Sequence, residues 1–180
     1  MKVIAIVGMA GSGKSEVTRL FQGSGFTPIR FGDVTDEEIK KKHLELNEEN
    51  ERHIRELLRE EHGMAAYARL NLSRIDSALK HTDVIIDGLY SWEEYVFLKD
   101  YYGGDFMVVA IWASPKARYS RLMNRLIRKL TPEEAFSRDR AEIENINKGG
   151  PIAMADFTIL NESSLTDLKK KVERIISRLR

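Results

Sequence analysis

The sequence predicts an α/β protein with a parallel sheet covered by helices on both faces. Three observations predict it. Five short apolar, β-branched runs alternate with segments of helical pattern, from Lys2–Val7 to Phe157–Leu160. The first run flows into Gly8-Met9-Ala10-Gly11-Ser12-Gly13-Lys14-Ser15, which fits G-x-x-x-x-G-K-S/T, and a helix follows from Glu16. The second and third runs close on acids, Asp33 and Asp87, and an open parallel sheet binds its ligands beyond such strand ends.

Composition narrows the function classes. The 180 residues suffice for one domain, or for a core with a small insertion. The chain is 42% hydrophobic and 32% charged, ordinary for a soluble globular protein. A net charge of +1 supplies no global field for nucleic acid or a membrane surface, so neither is expected as a partner. Without cysteine there is no disulfide, thiolate zinc site or cysteine nucleophile. His43, His53, His62 and His81 lie in or near charged helical segments and read as surface residues rather than metal ligands. Val3–Val7 is too short for a signal peptide and no run reaches membrane-spanning length, so the cytoplasm is the expected location.

The elements follow in order. Val3–Val7 reads as a buried parallel strand. After the first helix, Gly23-Ser24-Gly25 breaks the pattern and Phe26–Phe31 forms a short strand, restricted by Pro28 to an edge or entry position. Thr35 and Glu38 have capping-box spacing, which predicts a helix start there. A further helix is expected from about Asn47 to Glu61, with Ile54, Leu57 and Leu58 as a narrow apolar stripe, and another over Met64–Leu79. Val84–Asp87 is the third strand. Ser91 and Glu94 cap a helix that ends near Gly103-Gly104, and Phe106–Trp112 is the fourth strand. Ser114-Pro115 opens a helix expected to run to about Leu130, placing Arg118, Arg121, Arg125 and Arg128 on one arc. Thr131-Pro132-Glu133-Glu134 restarts a helix that Lys148-Gly149-Gly150-Pro151 ends. Phe157–Leu160 is the fifth strand, and Ser164 with Asp167 caps the last helix.

The chemistry starts at the glycine-rich loop. Its glycines let successive N–H groups point at phosphate oxygens, and the helix N-terminus adds partial positive charge. Lys14 supplies an ammonium for the β- and γ-phosphates, and the Ser15 hydroxyl is a Mg²⁺ ligand. Asp33 reads either as a turn aspartate or as an acid that holds Mg²⁺ or takes a proton. Asp87, after three apolar strand residues, has the pattern of a carboxylate that ligates Mg²⁺ directly or through water. The arginine arc is either a solvated face or, being of one sign and rich in arginine, an anion-facing surface continued by Arg138. Arg55, Arg59, Arg69 and Arg74 are interspersed with Glu51, Glu56, Glu60 and Glu61, which favours surface pairing.

Several stretches together resemble a known group. These are GMAGSGKS, Gly32-Asp33-Val34, the VIIDG run ending at Gly88, Ala113-Ser114-Pro115-Lys116, the arginine-rich pair of helical segments with Phe136 and Arg138-Asp139, Ala155-Asp156, and Asn161-Glu162 before a capped helix. The chain resembles the nucleoside-monophosphate-kinase group of P-loop proteins, and within it the archaeal family described as adenylate-kinase-related or dephospho-CoA-kinase-like. The resemblance spans nearly the whole chain. It implies a five-stranded parallel sheet of order 2-3-1-4-5, a helical substrate-binding insertion over residues 35–80 and a lid over 118–140. It implies transfer of the ATP γ-phosphoryl group, with Mg²⁺, to a small-molecule acceptor. The nucleotide would be held by Gly8, Ala10, Gly11, Ser12, Gly13, Lys14, Ser15 and Glu16, and the metal by Ser15 and Asp87. Asp33 would be the acid near the acceptor, and Arg121, Arg125 and Arg138 the lid cations. Monomer and homodimer both stay open.

The departures fall on the acceptor side. Thr35 and Asp36 stand where these families tend to carry an arginine, and Leu89-Tyr90 where another is expected. The lid's paired acids are absent near Arg128-Lys129-Leu130. An acceptor phosphorylated on a hydroxyl fits these departures better than one phosphorylated on phosphate, unless Arg30, Arg69 or Arg74 supplies the lost charge. The alternative is an NTP-binding regulatory ATPase with a decayed acceptor site.

Overall fold

A strand with apolar side chains on both faces needs cover on both, and VIAIV is such a strand. In the computed structural model, which describes residues 1–127 and 129–179, it becomes the wholly buried central strand β1 (Val3–Val7). The other strands are β2 (Thr27–Arg30), β3 (Val84–Asp87), β4 (Phe106–Trp112) and β5 (Phe157–Leu160). They form one sheet of order β2-β3-β1-β4-β5 in which every pairing is parallel. That is the expected topology, with Pro28 on an edge strand. The helices are α1 (Lys14–Gly23), α2 (Asp33–Lys41), α3 (Glu48–His62), α4 (Ala66–Leu79), α5 (Trp92–Tyr102), α6 (Pro115–Met123), α7 (Pro132–Glu144), α8 (Gly149–Ala153) and α9 (Leu165–Leu179).

Alternation along β1 divides the core. Ile4 and Ile6 pack with Val17 and Phe21 of α1 and with Leu168, Val172 and Ile176 of α9. Val3, Ala5 and Val7 pack on the opposite face with Ile54, Tyr67, Ile75 and Leu98 of α3, α4 and α5. Each such aliphatic side chain contributes roughly 1.5–3 kcal/mol by leaving water. A small third cluster, Ala10, Leu122 and Ala135, fastens α6 and α7 to the glycine-rich loop. The register aligns Ile6 with Asp87 and Asp87 with Arg30, so the ends of β1, β2 and β3 share one edge of the sheet.

Three local expectations need correction. α6 ends at Met123, well before Leu130. Asn124 turns its amide back onto the Ser120 carbonyl, offering the backbone a partner outside the helix. Leu126 and Ile127 then stand 97% and 77% exposed, so their apolar spacing reflects no packed face. The four-arginine arc therefore does not form, and Arg128 lies outside the described residues. Thr35 is not a cap: α2 starts at Asp33 after Gly32, and the Thr35 hydroxyl shares a 2.6 Å hydrogen bond with Tyr67 of α4. Lys148-Gly149-Gly150-Pro151 starts the short helix α8 as well as following α7. The capping boxes at Ser91–Glu94 and Thr131–Glu134 form as the spacing predicts.

Candidate active site

Val7 delivers the chain to a loop that only glycine can shape. A Cβ on Gly8 would strike the Ile111 carbonyl oxygen, and one on Gly13, at φ 101°, would strike the Asn161 amide. The loop is held through its carbonyl oxygens. Asn161 Nδ2 donates to Ser12 O at 2.8 Å and Arg118 Nη1 to Ala10 O at 3.1 Å. Arg121 Nη1 approaches Gly11 O at 3.4 Å, while its Nη2 donates to Asn161 O at 2.7 Å. The first turn of α1 leaves the N–H groups of Lys14 and Ser15 without intrahelical acceptors, as every helix start does. Lys14 Nζ reaches across the loop to Gly8 O at 2.8 Å and Met9 O at 3.1 Å. Glu16 turns its carboxylate to Arg19 on its own helix, and its N–H donates to Gly13 O at 3.2 Å.

The charges around Lys14 come from β3, α7 and the turn that follows α7. Burial and nearby Lys148 together lower the Lys14 pKa to about 7, against the upward pull of Glu142 and Asp87. Asp87 ends β3 among Lys14, Arg30, Asp33 and Lys148; burial raises its pKa against the pull of the cations. Asp33 opens α2 and accepts from Arg30 Nη1 at 2.8 Å, and Asp36 accepts from the same nitrogen at 2.6 Å. These two carboxylates outweigh burial and raise the Arg30 pKa. The structure thus gathers Lys14, Asp33 and Asp87 at the carboxyl edge of the sheet, where ligands of such sheets bind.

The region C-terminal to α6 adds a second charge cluster. Glu142 of α7 accepts from Lys148 Nζ at 2.8 Å and from Arg138 Nε at 3.3 Å. Burial acts to raise its pKa, but Lys148, Arg138 and Lys14 prevail and bring it down to about 2. Arg118, which the helical arc made a surface residue, is instead buried. It forms a bidentate pair with Asp139 at 2.9 and 2.6 Å, and Tyr119 donates to the same carboxylate at 3.0 Å. Its role is to tie α6, α7 and the glycine-rich loop together.

Comparison with known proteins follows this geometry. Residues 4–145 match the family model of the AAA domain. A UPF0200 protein of Thermococcus sibiricus is 35% identical over 182 residues, covering 98% of this chain and 95% of that one. The chain belongs to the UPF0200 family. The fold of this UPF0200 chain is P-loop kinase-like. TT1252 from Thermus thermophilus superposes with a TM-score of 0.68 at 21% identity, over 99% of this chain and 98% of that one. Shikimate kinase from Bacteroides thetaiotaomicron superposes with a TM-score of 0.63 at 13% identity, over the same shares of both chains.

In this UPF0200 chain the remaining cations lie as follows. Arg125 is exposed beyond the end of α6. Arg55 pairs with Glu51 at 3.3 Å, and Arg74 of α4 grips Glu37 of α2 at 2.6 and 2.8 Å. Arg69 lies over the Phe97 ring at 4.8 Å and Arg59 over Tyr67 at 5.3 Å. Tyr90 is packed between Lys148, 5.4 Å above its ring, and Tyr67, whose ring centre is 5.6 Å away. Beneath it, Glu94 is fully buried; Oε2 accepts from the N–H groups of Tyr90 and Ser91, and Oε1 has no hydrogen-bond partner among the described residues. Burial raises its pKa to about 7. Sequence reasoning missed Lys148 and Glu142. The i, i+4 spacing of Arg138 and Glu142 was a usable signal for the second, but none marked the first.

The loop fits a nucleoside triphosphate tail: its glycines leave room, the carbonyls of Ala10, Gly11 and Ser12 are tied by Arg118, Arg121 and Asn161, and Lys14 opens the helix that follows. Among the described residues no group of three or more His, Asp or Glu gathers to hold a metal. One carboxylate and one hydroxyl fit Mg²⁺, which takes few protein ligands when phosphate oxygens and water complete its shell. Among the same residues no helix is long and apolar enough to cross a membrane.

Proposed function

We propose that this UPF0200 protein is an ATP-dependent small-molecule kinase, related in chemistry to the adenylate-kinase-related and dephospho-CoA-kinase-like proteins. The γ-phosphoryl group goes to a hydroxyl of a nucleotide- or nucleoside-like acceptor. The observation that carries this reading is the convergence of Lys14, Asp87 and Asp33 on one sheet edge beside a glycine-shaped loop. The backbone from Gly8 to Ser15 and the Lys14 ammonium hold the phosphates. Ser15 and Asp87 hold Mg²⁺, which neutralises phosphate charge when bound. Asp33 takes the acceptor's proton as the acceptor oxygen bonds to the γ-phosphorus and the bridge to ADP breaks. Arg121, Arg125 and Arg138 meet the negative charge that spreads over the phosphoryl oxygens. Residues 35–80 form the acceptor side and residues 118–140 the cover.

The hydroxyl preference rests on how the cations are engaged. Asp33 and Asp36 share Arg30, Glu37 grips Arg74, and Arg69 stacks on Phe97. The three candidates for gripping an acceptor phosphate are thus occupied. The same fact favours the second reading, a regulatory ATPase with a decayed acceptor site.

One experiment separates them. ADP formation is measured with AMP, CMP, UMP, dephospho-CoA and no acceptor, for the parent and for Lys14→Ala. The kinase reading expects acceptor-dependent ADP that falls at least about a hundredfold in Lys14→Ala, the scale of losing one transition-state charge contact. Equal rates with and without every acceptor support the ATPase. Equal ATP affinity and turnover in Lys14→Ala would remove the loop from the mechanism.

A further inference from the structure

Lys148 is an unusual lysine. It is 2% exposed, yet it lies outside every helix, at the turn between α7 and α8. The turn is built to deliver it. Asn147 has φ 51°, the Lys148 N–H donates to Glu142 O at 3.2 Å, and the Gly150 N–H donates to Asn147 O at 3.0 Å. A Cβ on Gly150 would stand 2.6 Å from the Trp92 ring, so the turn seats against α5 only with glycine there.

An ammonium carries three N–H donors. Among the described residues, Lys148 Nζ meets one hydrogen-bond acceptor, Glu142 Oε2 at 2.8 Å, and the Tyr90 ring at 5.4 Å. Removed from water, it retains donor capacity that this carboxylate does not use. Its charge acts on Lys14, Asp87, Glu94 and Glu142, so it lies in the electrostatic neighbourhood of both the loop lysine and the strand-end acid. Lys148, Lys14 and Arg138 all act on Glu142, and cations brought together out of water favour the approach of an anion. The Glu142 environment shows what the cluster stabilises: a buried group held fully anionic by the surrounding cations.

We propose that Lys148 is a catalytic residue that contacts the phosphoryl group in transfer, and that Glu142 is the positioning residue that holds it there. The inference rests on the phosphoryl-transfer reading of the Lys14 site. It adds a cation from the α7–α8 turn to those expected from the arginine-rich segment. No bond to Lys148 forms or breaks; its ammonium stays protonated and donates to a phosphoryl oxygen as the γ-phosphorus passes from the ADP oxygen to the acceptor oxygen.

The test does not depend on knowing the acceptor. MgADP binding is measured by calorimetry with and without aluminium fluoride, which takes the place of the transferring phosphoryl group. The proteins are the parent, Lys148→Met, Lys148→Arg and the double variant Lys148→Met/Glu142→Gln, which leaves no unpaired buried charge if the single variant fails to fold. The parent is expected to bind MgADP at least tenfold more tightly with fluoride. Lys148→Met and the double variant are expected to keep MgADP affinity within threefold and lose that gain, and Lys148→Arg to recover part of it. A fluoride gain that survives in the methionine variants overturns the proposal. So does a parent without any gain, or an equal loss of MgADP affinity, which would make Lys148 a structural or ground-state residue. Failure of the kinase reading would appear separately, as absent acceptor-dependent ADP in a parent that retains the fluoride gain.

Discussion

The glycine-rich loop and the mouth between β2 and α2, proposed above as the nucleotide and acceptor sides, share one edge of the sheet but are held by different kinds of interaction. The glycine-rich loop is fixed by backbone contacts, by the Asn161 amide and by the buried Arg118–Asp139 pair. The mouth formed by β2 and α2 is fixed by half-exposed ion pairs, with Arg30, Asp33 and Asp36 side chains 43%, 48% and 37% exposed. Buried pairs are costly to break, whereas exposed ones contribute about 0–1 kcal/mol. One side is therefore preorganised for its ligand. The other can trade its partners for an incoming molecule at small cost.

The largest expected effect breaks the rigid side. Arg118→Met leaves the Asp139 carboxylate buried without its cation and should cost about 3–5 kcal/mol in urea unfolding. Removing both charges, with Arg118→Met and Asp139→Leu, should recover much of that. A single-variant loss below about 1 kcal/mol would erase the distinction between the two sides.

Glu94 of α5 sharpens the comparison, because it is a buried group held by the Tyr90 and Ser91 N–H groups rather than by an ion pair. Its pKa rises from 4.5 to about 7 in the folded state. The folded protein therefore binds the extra proton between those values. Its contribution is fully present below pH 4.5 and is lost as pH rises toward and through 7. At about 1.4 kcal/mol per pH unit the loss amounts to about 3 kcal/mol. Glu94→Gln should flatten that part of the stability profile, measured by urea unfolding from pH 4.5 to 8. An unchanged slope would show that this carboxyl is hydrated.

Smaller effects belong to the exchangeable side. The parent should be a poor AMP kinase, since the Arg30 guanidinium is already shared by two carboxylates. Asp36→Asn should leave it paired with Asp33 alone, freeing donor capacity, and raise AMP-dependent ADP formation about tenfold, the value of one charge-assisted hydrogen bond of about 1.5 kcal/mol. Strong AMP phosphorylation by the unmodified protein would overturn this account of the acceptor side. The same Asp36→Asn change should move unfolding stability by less than about 1 kcal/mol. A larger loss would mean that the mouth is as rigid as the loop.

What was legible in the sequence follows the same division. The strand–loop–helix around Lys14 depends on neighbours in the chain, so its pattern carries its geometry. The capping boxes at Ser91 and Thr131 are local for the same reason, and so are β1, β3 and β4, whose runs of Val and Ile state their own burial. Thr35 had the right spacing for a cap, but Tyr67, 32 residues later, supplied a competing partner. Arg118 looked like surface because its carboxylate partner lies 21 residues downstream. The helix from Pro115 was extended over Leu126 and Ile127, where helical spacing exists without anything to pack against. Lys148 was invisible because its burial comes from the folding of α7 and α8 over the sheet edge, which no local pattern encodes. On the acceptor side, the missing arginines were legible as absences. The sharing of Arg30 between Asp33 and Asp36 was not, because it depends on how α2 leaves the sheet.

The Arg118 pair also has a mechanical consequence. One guanidinium bridges the glycine-rich loop at Ala10, the end of β4 at Ala113 and the middle of α7 at Asp139. A hinge between α6 and α7 would have to tear that bridge, so the two helices travel with the loop as a rigid body. The exposed Leu126 and Ile127 lie beyond the end of α6, outside that bridge.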